Sequence, residues 1–343
     1  MKRFIYLYIV LALFYSAELV GQETRNKDAV AENMLLLQRN YGGWSKFFNK
    51  KKVDYYRAYN LAERKLAEEQ KGLEDATIDN NATSSEIRYL IKAFHETKNQ
   101  RYLTGAKNGV DYLLDAQYAN GGWPQYYPDT HLYRSQITYN DRAMINVLLI
   151  MQDIVKSRNG FDVLAPSYVE KAKKVLERGL ECIIHTQVIL AGKKTIWAAQ
   201  YDKDNLQPAK ARAYELPSLA TAESSDILLF LMEQPESATI QEAVEAGVQW
   251  FSDHKLKDKE AIIIDDPRQS SGKDRVLIDK LGTDSWARFY DLNEQEPLFV
   301  GRDGKPHKTL FSIENERRIG YAWYGNWGNK VDKAYKKWKL NTF

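Results

Sequence analysis

The sequence predicts a mainly α fold: an α/α toroid of repeated helix pairs with long functional loops and a few short strands. Apolar residues recur at helical spacing over most of the chain, whereas convincing alternating stretches are few. A short motif also repeats at predicted helix ends, where a Gln is followed by a loop and a Trp in residues 38–44, 117–123 and 187–197. Repeated helix pairs with such loops suggest a ring in which inner helices alternate with outer ones. Chance likeness among three aromatic loops is the alternative.

The N-terminus has the layout of a secretory signal peptide. Lys2 and Arg3 precede an apolar run over residues 4–15, and small and polar residues follow up to Gln22. The run is too short for a comfortable membrane span. We therefore expect a signal peptide at residues 1–22 and a mature protein that is secreted or periplasmic; a retained N-terminal anchor is the alternative.

The remaining chain, residues 23–343, is expected to be a single domain and a monomer. It holds no second long apolar segment, so no stable membrane association is expected after signal cleavage. The full sequence has 49 Lys and Arg against 46 Asp and Glu, a balance that argues against nucleic acid as a partner. Cys182, the only cysteine, lies in an apolar pattern and is expected to be a small buried hydrophobe.

Six helices are predicted from the apolar period, in chain order. The first begins after Thr83, because residues 83–86 resemble a capping box. The others are expected at 101–117, from 140 or 141 to 154, at 166–186, from 218 or 221 to 232, and at 238–251. The third is apolar almost all round, which predicts a deeply buried helix. Residues 262–264 and 276–278 are predicted to form a short hairpin.

A long loop over residues 193–218 separates two of these helical patterns and combines aromatic, acidic and basic residues. Long ordered loops in compact domains are usually functional. An ordinary solvated connection would explain the charges, but it explains the three aromatic residues less well. We therefore predict a functional loop here.

Five charged residues lie at loop ends or helix starts: Asp79, Asp141, Arg212, Arg288 and Arg302. Taken singly, each has a structural explanation as a helix cap or as the partner of a neighbouring charge. Together with aromatic residues they resemble a sugar-binding cleft, because rings stack on sugars and arginine forks match carboxylates. Two acids can also hold a hard cation through oxygen ligands. The combination suits a polymer of uronic acid. The flanking aromatic residues are Trp123, Trp197, Tyr201, Trp286 and Tyr290.

Six motifs resemble those of the polysaccharide lyase family 10 pectate lyases, in the order of that family. They are NGGWPQYYP (120–128), ITYNDRAM (137–144), WAAQYDKDNLQPAKARAYELPSL (197–219), RFYDL (288–292), FVGRDG (299–304) and ERRIGYAWYG (316–325). The resemblance runs from about residue 30 to the C-terminus. It implies an α/α toroid and a calcium-dependent catalytic domain. It also implies cleavage of α-1,4-linked polygalacturonate by β-elimination, which gives 4,5-unsaturated oligogalacturonides.

The resemblance also implies roles for single residues. Arg212 becomes the Brønsted base. Asp79 and Asp141 become the acids associated with calcium and, for Asp79, with the uronate at the cleavage site. Arg288 and Arg302 bind substrate carboxylates, and Lys194 is a further substrate ligand of the same kind. Trp123, Trp197 and Tyr201 are expected to stack on the sugar rings.

An arginine base needs a neutral guanidine, although arginine normally stays protonated. Our hypothesis is that Ca²⁺ and the neighbouring Arg288 and Arg302 disfavour charge on Arg212. Activity should then rise towards alkaline pH.

The sequence leaves two other classes of protein open. A glycoside hydrolase on the same kind of toroid would use Asp79 and Asp141 as its acid pair and would leave saturated product ends. A non-catalytic uronate-polymer binding protein would keep the arginines and bind without turnover. Retention of every catalytic candidate argues against the second class.

Overall fold

The computed structural model describes residues 27–342, so the predicted signal peptide at residues 1–22 lies outside the described part. Two compact units divide these residues. The first comprises residues 27–115 and 152–172, and the second comprises residues 116–151 and 173–342. Within residues 27–342 no helix combines the length and the apolar character that a membrane crossing requires.

Ten α-helices account for most of the regular structure of the described residues. Several were predicted closely, and the helix at 166–186 has the predicted ends. The helices at 29–37, 61–69, 315–320 and 327–342 were not predicted. In the last of these the apolar residues are too sparse for a clear period. In chain order the helices are α1 (Ala29–Leu37), α2 (Leu61–Glu69), α3 (Ser84–Thr97), α4 (Gln100–Asp115), α5 (Ala143–Val155), α6 (Pro166–Thr186), α7 (Thr221–Leu231), α8 (Ala238–Asp253), α9 (Asn315–Gly320) and α10 (Trp327–Thr342).

Every sheet among residues 27–342 is an antiparallel pair of strands. The longest pair is a hairpin of β8 (Lys259–Asp265) and β9 (Lys273–Asp279) with Ile262 opposite Val276. It confirms the predicted hairpin and extends it to seven residues in each strand. The pairs are β1 (Phe47–Phe48) with β2 (Lys51–Lys52), β3 (Ile137–Thr138) with β6 (Gln200–Tyr201), β4 (Ile189–Leu190) with β5 (Lys193–Lys194), β7 (Leu219–Ala220) with β11 (Phe289–Tyr290), β8 (Lys259–Asp265) with β9 (Lys273–Asp279), β10 (Trp286–Ala287) with β14 (Tyr324–Gly325), and β12 (Phe299–Val300) with β13 (Pro306–His307).

The three repeated motifs share one hydrogen-bonding pattern, which excludes a chance likeness. The amide of Gln38 donates to the carbonyl of Gly42 in its own loop, at 2.7 Å, and to a carbonyl of α4, at 2.9 Å. Gln117 and Gln187 do the same, each bonding its own loop and a carbonyl of a later helix. The Trp then packs inward, and the indole of Trp197 donates to a carbonyl near the end of α6. Each motif therefore fixes the corner where a helix ends.

The predicted α/α toroid is wrong. Residues 27–342 divide into two compact units whose boundaries fall at the end of α4 and within α5 and α6, and no toroid is indicated. The physical reason is that the repeat specifies only the corner at a helix end. It satisfies the last carbonyls and buries an indole, but it does not determine how many helices follow or whether the series closes.

The predicted capping box at Thr83 is also wrong, although α3 begins at the next residue. The Thr83 hydroxyl donates to the carbonyl of Thr77 at 2.9 Å and accepts a hydrogen bond from the backbone of Trp44 at 3.1 Å. It makes no cap hydrogen bond, and its φ of 65° points the chain away from the usual geometry of a helix start. The Thr83 hydroxyl therefore makes tertiary hydrogen bonds instead of the local cap that the motif predicted.

Candidate active site

The backbone of Arg288 is fixed between a helix start and a distant loop in the second unit. Arg288 lies between β10 and β11, and its carbonyl accepts a hydrogen bond from the backbone of Thr221, the first residue of α7, at 3.0 Å. Its own N–H donates to the carbonyl of Trp323 at 2.7 Å. Glu223 lies in the first turn of the same helix, two residues after Thr221.

The Arg288 side chain forms a buried ion pair with Glu223. The side chains are 12% and 2% exposed. Burial disfavours the charged form of Arg288, but the Glu223 carboxylate outweighs it and holds the pKa of Arg288 above its ordinary value. Asp141 adds a second negative charge, with its Oδ1 atom 3.9 Å from the guanidinium. Arg288 is therefore a fixed cation.

Three rings surround this cation. The guanidinium lies 5.6–5.7 Å from the ring centres of Phe289, Tyr321 and Trp327. Two buried atoms of the Arg288–Glu223 pair, the arginine Nε and the glutamate Oε2, make no hydrogen bond within residues 27–342. Glu223 and the three rings therefore fix the orientation of the guanidinium.

Asp141 stands at the edge of this pair on a strained turn. It lies in a 3₁₀ turn at residues 140–142, just before α5, with a φ of 49°. Non-glycine residues with such a φ are uncommon and cluster at functional sites. The Asp141 side chain is 47% exposed. The structure therefore places one predicted acid beside one predicted carboxylate ligand.

Arg212 lies in the long loop and pairs with Glu215. Both its backbone N–H, at 3.0 Å, and its guanidinium donate to the Glu215 carboxylate. This hydrogen bond raises the pKa of Arg212 above its ordinary value, with burial acting in the opposite direction. That direction is opposite to the predicted one. The cause is a tight turn that brings Glu215, three residues on, back against the guanidinium.

Tyr214 brings two of the predicted arginines together. The guanidinium of Arg212 lies 5.4 Å from the centre of its ring, and that of Arg302 lies 5.1 Å from it. Arg302 is exposed and makes a bidentate ion pair with Glu316, at 2.7 and 3.2 Å, which raises the pKa of the arginine. Cations over an aromatic ring are attracted by its quadrupole, so the ring stabilises this grouping.

Arg317 is a fourth arginine that sequence reasoning missed. Its guanidinium lies 4.5 Å from the ring centre of Tyr214 and 5.3 Å from that of Tyr321. Burial lowers the pKa of Arg317, and the neighbouring Arg302 cation acts in the same direction. Because Tyr321 also contacts Arg288, the two rings connect all four arginines. We call Arg212, Arg288, Arg302 and Arg317, with Tyr214 and Tyr321, the arginine cluster.

Two further predicted residues have other described partners. Asp79 belongs to the first unit, where it is buried in an ion pair with Lys46 and accepts a hydrogen bond from Asn80 at 3.0 Å. Lys194, on β5 of the second unit, pairs with Glu242 of α8 at 2.9 Å. Neither contact belongs to the arginine cluster.

The prediction that Trp123, Trp197 and Tyr201 stack on the substrate is corrected by their burial. All three are 0% exposed, so no ring face is open to a polysaccharide. The Tyr201 hydroxyl accepts a hydrogen bond from the backbone of Ala198 at 2.6 Å, and the Trp197 indole is held in its helix corner. The rings form the core beneath the loops. The other two flanking aromatic residues, Trp286 and Tyr290, are buried as well.

The residues of the site that were not predicted differ in the sequence signal that could have identified them. Arg317 and Tyr321 lie in the motif at 316–325, and Tyr214 and Glu215 lie in the motif at 197–219, so both motifs contained the signal. No sequence signal identified Glu223, because an acid in the first turn of a helix is normally explained by the helix dipole.

The buried position predicted for Cys182 is confirmed. The residue is 0% exposed, and burial raises the pKa of its thiol to about 12. A thiol in this setting is a poor nucleophile.

Comparison with known proteins identifies the family. The pectic acid lyase family matches residues 38–332. A solved structure of a family 10 polysaccharide lyase from Cellvibrio cellulosa is 33% identical, with a TM-score of 0.79 and coverage of 90% of this chain and 91% of that chain. A mutant of a family 10 polysaccharide lyase from the same organism, solved in complex with trigalacturonic acid, is 32% identical, with a TM-score of 0.79 and coverage of 91% and 94%. No curated protein matches.

These matches cover nearly the whole described chain and confirm the family resemblance, while giving no indication of a toroid. The relative's ligand is an oligomer of the acidic sugar that the arginines had suggested. The chain belongs to the pectic acid lyase family and is a polysaccharide lyase.

Proposed function

We propose that the chain is a calcium-dependent pectate lyase that cleaves α-1,4-linked polygalacturonate by β-elimination and releases 4,5-unsaturated oligogalacturonides. The arginine cluster is the observation that carries this proposal, because it gathers four guanidinium groups around two tyrosine rings beside Asp141. The trigalacturonic acid bound to the mutant relative supports the substrate class.

The chemistry explains why such a cluster is needed. In β-elimination a base takes the proton from C5, the released electron pair forms the C4–C5 double bond, and the C4–O bond breaks. The leaving oxygen then takes a proton from solvent. Removing the C5 proton adds negative charge to a group that already carries a carboxylate, so fixed cations on that carboxylate lower the barrier.

Arg288 and Arg302 are the proposed carboxylate ligands. Arg288 is preorganised, since Glu223 and three rings fix its orientation before substrate arrives. Arg302 is exposed and would exchange Glu316 for the substrate. Lys194 is proposed as a further ligand that would exchange Glu242 in the same way.

Arg212 is the proposed base, and Glu215 must release it first. While the pair is closed, Glu215 keeps Arg212 protonated. Once it opens, Arg302 and Arg317, which share the Tyr214 ring with Arg212, disfavour a third positive charge. A neutral Arg212 then becomes accessible, most readily at alkaline pH.

Calcium is the proposed cofactor, with Asp79 and Asp141 as its protein ligands. Ca²⁺ takes six to eight oxygen ligands. Among residues 27–342 no group of three or more His, Cys, Asp or Glu side chains could hold a metal ion, so substrate carboxylates and water would supply the other oxygens. The half-exposed carboxylate of Asp141 suits this arrangement. When bound, the ion would draw negative charge from the reacting carboxylate.

The mature protein, residues 23–343, is proposed to act as a single catalytic domain, as a monomer that is secreted or periplasmic. Its partner is demethylated pectin, and neither nucleic acid nor a membrane has a part in this proposal. The family assignment supports an extracellular setting, since its substrate lies outside the cell.

Digestion of polygalacturonate tests the proposal. A lyase produces ultraviolet-absorbing unsaturated ends, and a chelator should abolish their formation until Ca²⁺ is restored. Saturated ends would instead identify a hydrolase. Binding without new ends would identify a non-catalytic binding protein.

A further inference from the structure

A basic hairpin in the first unit borders two cavities that no proposed catalytic residue lines. The hairpin consists of β1 and β2, and the cavities have volumes of about 440 and 310 Å³. Both are lined by Lys52 and Val53, so they adjoin. We call them together the hairpin groove. Its charged lining residues are Lys46, Lys51, Lys52, Asp54, Arg57, Glu63 and Glu86.

Two of the four cations of the groove have acidic partners, because Arg57 pairs with Glu63 and Lys46 pairs with Asp79. Glu63 is committed to Arg57 and to the backbone of Asn60, and these contacts lower the pKa of its carboxyl. Glu86 is buried, and burial raises the pKa of its carboxyl, which weakens its negative charge. Lys51 and Lys52 are exposed on β2. These two lysines outnumber Asp54, the remaining acid of the lining, so the open surface of the groove keeps a positive charge and suits an anionic ligand.

An aromatic ring is open beside these cations. Phe47 lines the smaller cavity and is 48% exposed, with the Lys46 ammonium 5.7 Å from its ring centre. Tyr56, three residues after Val53, is 81% exposed. Exposed rings beside cations suit a charged sugar, whose ring stacks while its carboxylate pairs. The buried Trp123, Trp197 and Tyr201 cannot provide such a platform.

The groove also reaches one of the proposed substrate ligands. Lys46, which lines the smaller cavity, pairs with Asp79, and Asn80 lines the same cavity. The smaller cavity therefore lies beside Asp79 within the first unit.

We propose that the hairpin groove is a secondary binding site for galacturonate residues of the polymer away from the bond that is cleaved. This inference rests on the proposed function, because it takes the substrate to be a uronate polymer. Polygalacturonate carries one carboxylate on each ring, so the cations of the hairpin bind several successive rings of a long chain. A short oligomer that fills only the cleavage site gains nothing from them.

The test compares two double variants on long and short substrates. Lys51→Gln with Lys52→Gln removes two charges from the groove. Lys65→Gln with Lys92→Gln is the matched control, because it removes two exposed charges of the same unit outside the groove. We expect the groove variant to raise KM for polygalacturonate about 5-fold at low salt, a size typical of two exposed charge contacts, with kcat unchanged. The effect should shrink in 0.5 M salt, where the Debye length falls to about 4 Å.

Trigalacturonic acid provides the second arm. Its KM should be the same for the wild type and both variants, and Phe47→Ala should reproduce the loss on polymer alone. Equal KM values for the two double variants on polymer, or an equal loss on the trimer, would overturn the secondary site. A wild type that neither binds nor cleaves polygalacturonate would instead refute the proposed function.

Discussion

Replacing Glu223 by Gln should uncouple the carboxylate ligand Arg288 from its support. The two side chains are 2% and 12% exposed, so the change leaves a buried cation without its main counter-charge. Removing one partner of a buried ion pair costs about 3–5 kcal/mol. Asp141, 3.9 Å away, remains as partial compensation, so we expect a loss near 3 kcal/mol. That corresponds to a fall in Tm of about 5 °C.

The same change should reduce activity through orientation. Without Glu223 the guanidinium is free to turn, and the charge-assisted bonds to the substrate carboxylate weaken. Losing about 1.5–3 kcal/mol there lowers kcat/KM by roughly 10- to 100-fold. The assay is the initial rate of unsaturated-end formation on polygalacturonate, together with urea unfolding of the same samples.

A second buried pair separates orientation from stability. Asp274 and Arg318 are 5% and 8% exposed and lie outside the arginine cluster. Asp274→Asn should lose comparable stability and keep its kcat/KM. The reasoning is refuted if Glu223→Gln keeps wild-type kcat/KM, or if both variants lose activity equally.

Three further predictions use other parts of the molecule. Gly121→Ala should lower the free energy of unfolding in urea by more than about 3 kcal/mol, because φ is +87° and the new Cβ would lie 2.0 Å from the carbonyl oxygen of Arg178. Gly192→Ala is the control, since its φ is +78° but no atom lies within 4 Å of the new Cβ. It should lower the free energy of unfolding by only about 1 kcal/mol. Equal losses would refute the role of the close approach. Burial raises the pKa of Glu86, so its stability contribution is present below the unfolded pKa and is lost as pH rises through the folded value. Glu86→Gln should therefore gain on the wild type as pH rises from 4 to 8, and a constant difference in unfolding free energy would contradict this. Glu215→Gln removes the hydrogen bond that raises the pKa of Arg212, so the alkaline rise of the pH–rate profile should move to lower pH; an unmoved profile would show that Glu215 does not hold the base.

Local patterns predicted the helices well because each pattern reports on the element that contains it. Residues 166–186 carry a clear apolar period and a Pro at the first helical position, and both ends were placed correctly. The predicted capping box at Thr83 was wrong because its hydroxyl has tertiary partners that the local motif does not encode. The predicted toroid was wrong for a related reason, because the corner motifs do not specify whether the series of helices closes into a ring.

The candidate site was predicted in part. The family motifs located Arg212, Arg288 and Arg302, and the structure connects them through Tyr214, Tyr321 and Arg317. Aromatic residues in polar loops predict sugar platforms, yet Trp123 is fully buried in a helix corner. Sequence composition does not distinguish a ring that faces solvent from one that closes a corner. Likewise, the contact of Glu215 with Arg212 depends on the turn of the folded backbone between them.

Arg212→Lys provides the most direct test of the proposed base. Its rate of unsaturated-end formation on polygalacturonate should be measured beside that of Arg317→Lys, with trigalacturonic acid affinity as the check on binding. We predict that Arg212→Lys loses nearly all turnover and keeps its affinity, whereas Arg317→Lys retains much of its turnover. Near-normal turnover in Arg212→Lys, or a loss confined to Arg317→Lys, would contradict the assignment of Arg212 as the group that takes the C5 proton.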